Sequence, residues 1–365
     1  MVNIIKCNVF ASLFVFTCAF CGGGALSNEI SQSLVPVYID KNGNVISFSY
    51  PVEVEGGHAV GVKNAVDVSG NIIVDSSGDI FSFLWSVKNK KSDDHEVSLK
   101  FFGVKKINVV GAVKKVSSSK FGTLLLMKNG QVLGFGKTRM GLLDGGGLGS
   151  SDISKLLMNK KQVVEDDSPV VVPLPEEMVD VSTNGANSLA LGKSGKIYAW
   201  GDNSYGAVGE GARQGSISFS VISGIQGVYR VYAGRFHGYA INEAGEVYVW
   251  GGCPQNGNIN SGVPFKLPGV FGVIGLSLPD FDEYRPVFFL NKNGEVFRMI
   301  INGMYYNPGS GCALRSERSL NSADPSVIYP SGGDKIIEIS DTYSDARGLY
   351  LGVDSTGKLA VGHSK

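Results

Sequence analysis

The chain has 365 residues, with 33 basic and 33 acidic side chains and a formal net charge of 0. This balance excludes a global positive field that would draw the protein onto nucleic acid or a membrane surface. A chain of this length would ordinarily suggest two domains, so any single-domain interpretation needs a repeated architecture behind it.

The first 27 residues have the three parts of a secretory signal peptide. A basic residue, Lys6, is followed by an apolar run over 9–20 and then by small residues that end at Ser27. The apolar run is too short to span a bilayer, and no other run approaches that length. We therefore expect cleavage after Ser27 and an exported domain over 28–365, secreted or periplasmic, without stable membrane insertion.

Three of the five cysteines, Cys7, Cys18 and Cys21, lie in this leader. A lipoprotein site at Cys18 or Cys21 is the rival interpretation, although the residues next to both fit that pattern poorly. Cys253 and Cys312 follow the hairpins of adjacent repeats and form either a disulfide or two free thiols. The chain contains no Asn-x-Ser/Thr acceptor, which favours a bacterial source.

One pattern recurs along the rest of the chain: an apolar alternating stretch, a polar turn with glycine, and a second alternating stretch. Period-2 alternation on both sides of a tight turn predicts a β-hairpin, and glycine adopts the positive φ of such a turn without steric cost. The seven turns lie near Gly43, Gly78, Gly130, Gly195, Gly245, Gly294 and Gly357. Repetition at this spacing predicts an all-β, seven-bladed radial array in a single domain.

Two segments between the hairpins are longer than the rest: 142–177 and 302–329. Loops of this size are uncommon unless they are functional or disordered, and passive surface elaboration is the alternative.

A lysine-rich tract lies between the second and third hairpins. One interpretation is a docking patch that binds an acidic partner or an anionic lipid surface. The other is the solvated face of an outer strand pair. The tract also contains the acidic residues Asp93, Asp94 and Glu96, and its lysines are Lys88, Lys90, Lys91, Lys100, Lys105, Lys106, Lys114 and Lys115.

The two central units, around Gly195 and Gly245, are 50 residues apart and match each other best. A Gly-x-x-His element, Gly234 to His237, precedes the strand that is expected to be the inner strand of the second unit. A Trp-Gly-x-Asn-x-x-Gly element follows the hairpin of the first, and its residues are Trp200, Gly201, Asn203 and Gly206. These elements resemble the repeat of the regulator of chromosome condensation family, whose members fold as seven-bladed β-propellers.

The resemblance covers residues 34–365 and is strongest in the two central units. In the fourth unit Asn184 and Asn187 stand where the pattern has Gly and His, and the first, second, sixth and seventh units lack a Trp-Gly. A secreted propeller of similar architecture inhibits β-lactamases through the segments before its inner strands and the Asn-x-x-Gly turns after its hairpins. Carried onto this chain, the resemblance implies candidate partner-binding residues at Phe121, Tyr205, Arg235, Phe236, His237, Phe281, Tyr284 and Tyr343. Aromatic residues and arginine dominate protein interfaces.

Catalytic and metal-binding patterns are absent from the sequence. The Gly134–Thr138 stretch resembles the end of a phosphate-binding loop, but Gln131 stands where that loop needs its first glycine. The histidines lack ligand spacing with cysteines or carboxylates, so we expect no metal and no cofactor. His237 is expected to hydrogen-bond within its blade. An active site assembled from distant positions stays open.

Three functions follow from these patterns. The first is a monomeric, secreted binding module that presents one propeller face to a protein partner. The second, implied by the family resemblance, is an exported regulator of nucleotide exchange on a host small GTPase, in which a long insertion wedges against the nucleotide site. The third is an enzyme that degrades extracellular polymers, which would need clustered carboxylates on one face.

Overall fold

The structure is a computed structural model, and every regular element among the residues that it describes is a β-strand. The described residues are 7–8, 37–40, 42–47, 58–89, 97–119, 122–136, 166–184, 186–203, 206–209, 216–234, 237–251, 263–279, 287–299, 305–307, 311–313, 326–328, 336–339, 342–343, 349–354 and 359–363.

Five four-stranded antiparallel sheets follow one another along the chain. The first contains β1 (Cys7–Asn8), β2 (Val37–Ile39), β3 (Val45–Ser47) and β4 (His58–Ala59). The second contains β5 (Ala65–Ser69), β6 (Ile72–Asp75), β7 (Ile80–Asn89) and β8 (Val97–Ile107). The third contains β9 (Val113–Ser118), β10 (Thr123–Met127), β11 (Val132–Gly136) and β12 (Asp166–Val171).

The fourth and fifth sheets are the two central repeat units. The fourth contains β13 (Met178–Thr183), β14 (Asn187–Gly192), β15 (Ile197–Asp202) and β16 (Ser216–Ile222). The fifth contains β17 (Val228–Ala233), β18 (His237–Asn242), β19 (Val247–Gly251) and β20 (Phe265–Lys266). In each sheet spatial order follows chain order, as expected for a propeller blade.

The remaining strands form less regular sheets. They are β21 (Val273–Pro279), β22 (Val287–Asn291), β23 (Val296–Met299), β24 (Tyr305–Asn307), β25 (Gly311–Ala313), β26 (Ser326–Ile328), β27 (Ile336–Ile339), β28 (Thr342–Tyr343), β29 (Leu349–Asp354) and β30 (Leu359–His363). The sixth sheet has five strands, in the order β26-β23-β22-β21-β28, and β27, β29 and β30 form a three-stranded sheet. A separate hairpin joins β24 to β25.

The sheets form a closed ring, because each contacts the next and β29 of the last contacts β1 of the first. The prediction of seven blades is wrong, since the described residues form five four-stranded blades. The physical reason is the irregular C-terminal third. There β21 acquires β28 as a parallel neighbour, and the last sheet has three strands among the described residues.

The first strands of neighbouring blades contact one another, β5 with β9, β9 with β13, and β13 with β17, so they surround the axis of the ring. We call them the inner strands. The predicted hairpin turns lie at the end of the ring where the inner strands begin, which we call the hairpin face. The inner strands end at the opposite side, the loop face.

Glycine is required in the hairpin turns by both conformation and space. Gly78 and Gly245 have φ of 90° and 74°, a region that favours glycine. A Cβ atom on Gly245 would lie 2.5 Å from the Cα atom of Gly272, at the entry to the next blade. The carbonyl oxygens of both turns accept hydrogen bonds from the first residues of the following inner strands, Val113 at 2.9 Å and Val273 at 3.0 Å. Gly357 lies outside the described residues.

The hydrophobic core is divided among the spaces between adjacent blades. One cluster joins Leu124 and Leu126 of the third blade to Val181 and Trp200 of the fourth. Another joins Leu189 of the fourth blade to Trp250 of the fifth. Alternating apolar side chains on both faces of each sheet are therefore buried against the neighbouring sheets, which explains why a long chain forms one ring.

Both predicted insertions contribute strands. The end of 142–177 forms β12, the outer strand of the third blade, and Val172 continues that pairing with a hydrogen bond to Val132. The segment 302–329 contains β24, β25 and β26, and β26 is an outer strand of the sixth sheet. The described parts of these insertions thus add outer strands to two sheets and form one separate hairpin.

Candidate functional site at the loop face

The turn between β17 and β18 is held at its base by both neighbouring strands and by the preceding blade. The Gly234 N–H donates to the His237 carbonyl oxygen at 2.8 Å, which joins the two ends of the turn. The Gly234 carbonyl oxygen accepts from the side chains of Asn187, at 3.2 Å, and Asn184. The residues between these ends, Arg235 and Phe236, lie outside the described residues.

Asn184 and Asn187 therefore have a role across the blade boundary. The Asn184 Oδ1 atom accepts from the backbone N–H groups of Ala186 and Asn187, at 2.8 and 3.0 Å, which fixes the loop of the fourth blade. Asn187 is 1% exposed and occupies the position that His237 has in the fifth blade. The departure from the Gly-x-x-His pattern thus supplies amide donors to the next turn.

His237 begins β18 and is partly buried. Its ring centroid lies 6.1 Å from that of Tyr239. Burial lowers the pKa of His237 from 6.5 to about 4, so the imidazole is neutral at pH 7. The same burial raises the pKa of Tyr239. The predicted hydrogen bond of His237 within its blade stays a prediction. The strand that follows the Gly-x-x-His element, β18, was expected to be the inner strand, but it is the second strand from the axis of the ring.

The Trp-Gly-x-Asn-x-x-Gly element is structural. Asn203 is fully buried, and its Oδ1 atom accepts from the Val208 N–H at 3.0 Å, which closes the turn after β15. Trp250 of the next blade donates its indole N–H to the Ala207 carbonyl oxygen of the same turn at 2.9 Å. This element therefore connects the fourth and fifth blades, and Tyr205, inside the turn, lies outside the described residues.

The other predicted partner-binding residues are placed only through the strands around them. Phe121 belongs to the connection from β9 to β10, and Phe281 and Tyr284 belong to the connection from β21 to β22. All three lie outside the described residues, but the strand ends that flank them are at the loop face. Tyr343 pairs with Pro279 at the loop-face end of β21.

The structure does not describe both cysteines of the candidate disulfide. Cys253 lies outside the described residues, and Cys312 belongs to β25, so the pairing of these two cysteines stays a prediction.

A set of polar residues on the inner strands was missed by the sequence analysis. Asp67 and Asp180 each accept a backbone N–H from the next inner strand, that of Val116 at 2.8 Å and that of Val231 at 2.9 Å. Lys115 pairs with the other oxygen of Asp180 at 2.5 Å. Each aspartate follows a β-bulge, which re-aims the side chain.

Serines extend the same connection toward the loop face. The Ser69 and Ser182 hydroxyl oxygens accept from the N–H groups of Ser118, at 2.8 Å, and Ala233, at 2.9 Å. These bonds satisfy donors at the inner edge of each sheet, where an unpaired N–H would be costly. The signal was present in the sequence as the repeated Val-Asp-Val-Ser at 66–69 and 179–182.

A polar depression of about 440 Å³ lies at the hairpin face, between the fourth and fifth blades. Hydrogen bonds from Lys266 and Asn242 lower the pKa of Glu246 at its edge. Both oxygens of the Glu246 carboxylate accept hydrogen bonds from these two side chains, so we assign Glu246 a structural role. The depression is lined by Gly224, Ile225, Gln226, Asn242, Glu246 and Tyr248.

The described residues contain no group of three His, Cys, Asp or Glu side chains placed to hold a metal ion. Within the same part of the chain, no helix has the length and apolarity needed to cross a membrane.

Comparison with known proteins agrees with this geometry. The regulator of chromosome condensation (RCC1) repeat matches residues 178–207, the stretch that runs from β13 through the Asn203 turn. The chain carries an RCC1-type repeat within a β-propeller. The human regulator of chromosome condensation is 30% identical over 172 residues, which are 45% of this chain and 38% of that protein. Human E3 ubiquitin-protein ligase HERC2 is 27% identical over 49% of this chain and 4% of its own length.

The RCC1-type chain therefore spans less than half the length of these relatives. Among solved structures, it is similar to Prp20p from Saccharomyces cerevisiae, with a TM-score of 0.58 and 14% identity over 91% of this chain and 81% of that one. Human WBSCR16 gives a TM-score of 0.57 and 16% identity, over 91% of this chain and 84% of that one. At these identities the likeness shows the propeller fold.

Proposed function

We propose that this propeller is a binding module that presents its loop face to a protein partner. The observation that carries the proposal is the fixed base of the Arg235–Phe236 turn. Three hydrogen bonds, one within the fifth blade and two from asparagines of the fourth, meet at Gly234. A recognition loop held on a rigid base loses little conformational entropy on binding.

The composition of the connections around the loop face supports the same function. Phe121, Tyr205, Phe236, Phe281 and Tyr284 all belong to segments whose flanking strands end at this face. Large aromatic side chains at loop positions are typical anchors of protein interfaces. The similar yeast structure is described as having binding properties toward Gsp1p and histones, so partner proteins are known for this kind of propeller.

The test is a binding experiment with paired substitutions. The full chain serves as bait, and the affinity of each captured partner is measured by calorimetry for the wild type and for the double variant Phe236→Ala, Tyr205→Ala. We expect the double variant to fold and to lose about 2–4 kcal/mol of binding free energy, the range of hot-spot aromatics. The control is Val110→Ala at the hairpin face, where the side chain is 98% exposed.

Equal losses in the double variant and in Val110→Ala would show that the interface lies elsewhere. A double variant that unfolds would assign both aromatics to the core between blades, which also contradicts the proposal.

Regulation of a small GTPase is the second candidate. The observation that favours it is the length of β7 and β8, 10 and 11 residues, which extend past the second blade at the loop face. The test is release of a fluorescent guanine nucleotide from a panel of purified small GTPases. Acceleration of release by the chain would establish this activity, and unchanged release across the panel would exclude it for that panel.

We also propose that the protein acts after export, with cleavage following Ser27. Strand β1, Cys7–Asn8, lies within the predicted leader and pairs with β2 at the inner edge of the first blade. This pairing argues against cleavage, because the cleaved chain would lose both the strand and its contact with β29. Amino-terminal sequencing of the protein recovered from the producing cell decides the matter. A sequence that begins at Asn28 supports export, whereas one that begins before Cys7 contradicts cleavage and retains β1 in the blade.

We also propose β-lactamases as a partner class, on the resemblance of the repeat to a secreted propeller that inhibits these enzymes. Titration of purified β-lactamases with the chain tests it directly, with residual hydrolysis as the readout. Inhibition that the Phe236→Ala, Tyr205→Ala variant loses would place the enzyme at the loop face.

A further inference from the structure

The second blade extends into a two-stranded ribbon at the loop face. Strand β6 pairs with β7 only from Ile80 to Ser82, and the Phe83 N–H donates to Asn71 at 3.1 Å. From Leu84 onward β7 pairs with β8 alone, through to the pair Asn89 and Val97. At 3.3 Å per residue, six residue pairs extend roughly 20 Å. We call residues 84–89 and 97–103 the ribbon.

The ribbon is amphipathic by its register. Directly opposite residues of an antiparallel pair share one side of the sheet, so one side carries Trp85 with Phe101 and Val87 with Leu99. The other side carries Ser86 with Lys100 and Lys88 with Ser98. Beyond the β-bulge between Leu84 and Trp85, where Gly103 has φ of 131°, the lysine side continues with Lys105.

Strand β8 is the terminal strand of its sheet, in the order β5-β6-β7-β8. The 21 residues of β7 and β8 include four lysines and no carboxylate. Lys105 and Lys106 are exposed, and Lys106 forms an ion pair with Asp79 at 2.5 Å. Lysine on an edge strand opposes pairing with an identical edge, because like charges would face each other. A second copy of β8 is therefore a poor occupant.

We propose that β8 is a docking edge for an extended acidic segment of a partner protein, which adds to the sheet as a further strand. In such a segment carboxylates alternate with apolar residues. Its period of two matches β8, where Ser98 and Lys100 lie on one side and Leu99 and Phe101 on the other. Backbone hydrogen bonds supply affinity, and the lysines select acidic partners over basic ones. The inference rests on the proposed function, because the ribbon stands at the loop face.

The test uses a defined probe and the full chain. A fluorescein-labelled nonapeptide in which glutamate alternates with valine, leucine and phenylalanine is titrated by fluorescence anisotropy at low and high salt. A matched peptide carries lysine in place of every glutamate. We expect the acidic peptide to bind, the binding to weaken with salt, and the amides of β8 to gain protection from hydrogen exchange.

Charge reversal supplies the decisive variants. The double variant Lys100→Glu, Lys105→Glu is expected to bind the acidic peptide at least about tenfold more weakly than the wild type does. It is expected to bind the basic peptide instead. Lys114→Glu, the same change at an exposed lysine of the inner strand β9, is expected to stay within about twofold. A thermal melt of each variant confirms folding before binding is compared.

Several outcomes would overturn the inference. They are no binding of the acidic peptide, equal binding of both peptides, indifference to the charge reversal, or binding without protection of β8. Sedimentation with phosphatidylserine vesicles in place of peptide binding would identify a membrane surface instead. If the acidic peptide does not bind but the Phe236→Ala, Tyr205→Ala variant still loses its protein partner, only the docking role of β8 is contradicted and the proposed function stands. Peptide binding that this double variant retains would separate the edge from the loop-face interface.

Discussion

Trp250 donates its indole N–H to the Ala207 carbonyl oxygen at 2.9 Å, across the boundary between the fifth and fourth blades. The indole reaches that oxygen by lying over Gly238, its partner in the β18–β19 register. A Cβ atom on residue 238 would collide with the ring. The Trp-Gly element and the glycine of the opposite strand are thus two parts of one contact between blades.

Gly238→Ala should therefore displace Trp250 and break its hydrogen bond. We expect a loss of about 3 kcal/mol or more in the free energy of unfolding, from overpacking together with a buried carbonyl that loses its donor. Urea unfolding measures the loss. Gly275→Ala is the matched control, since its nearest atom would lie 3.8 Å from the new Cβ. Equal stabilities of the two variants would show that the indole has another position.

Asp180 connects three blades, through Lys115 on one side and the Val231 N–H on the other. Asp180→Ala leaves a buried N–H and a largely buried ammonium without this acceptor, so we expect a loss of about 3–5 kcal/mol. Asp180→Asn keeps one acceptor oxygen and should lose less.

The control for Asp180 is Lys193→Ala. It removes an ion pair with Glu177 of similar length, 2.9 Å, whose side chains are 72% and 60% exposed. Exposed pairs contribute at most about 1 kcal/mol. Losses of the same size at the two sites, measured by chemical unfolding, would refute a stabilising role for the inner-strand connection.

His237 predicts a pH dependence of stability. Its pKa falls from 6.5 to about 4 on folding because of burial, so the unfolded chain binds this proton at a higher pH than the folded chain. The free energy of unfolding should then decrease as the pH falls from about 6.5 to about 4. One pKa unit corresponds to about 1.4 kcal/mol. Because His237 as a residue is only partly buried, we expect a total change of about 2 kcal/mol in the free energy of unfolding.

The check is His237→Asn, which introduces the residue type that the fourth blade has at the equivalent position. This variant should lose the slope between pH 6.5 and 4 in a series of urea unfolding curves. His363→Asn makes the same change on β30 and should keep the slope. Parallel profiles for all three proteins would show that another group titrates.

Ring closure depends on the C-terminal strands. Strand β30 pairs with β29 over Leu359–His363, and β29 contacts the first blade. Deletion of residues 359–365 should therefore expose an edge and abolish the single cooperative melt, as followed by calorimetry. Deletion of residues 364–365 alone should leave the melt intact. An unchanged transition in the longer deletion would mean that the ring closes without this strand.

The sequence alone determined the all-β repeat and the RCC1 resemblance. Alternation and turn glycines act within about a dozen residues, so the turns at Gly78, Gly130 and Gly245 followed from local chemistry. The Trp-Gly and Asn203 motif was visible for the same reason, because one short segment contains it. The structural role of that motif was not visible, since Trp250 and Ala207 are 43 residues apart.

Tertiary structure alone decided the number of regular blades and the contacts between them. Whether a hairpin acquires a third and fourth strand depends on long-range pairing, such as that of β21 with β28, which period-2 alternation does not encode. The bonds from Asp180 to Val231 and from Asn187 to Gly234 likewise exist only when two blades meet. Local patterns thus specify each hairpin, whereas the ring is specified by side chains that satisfy the backbone of the next blade.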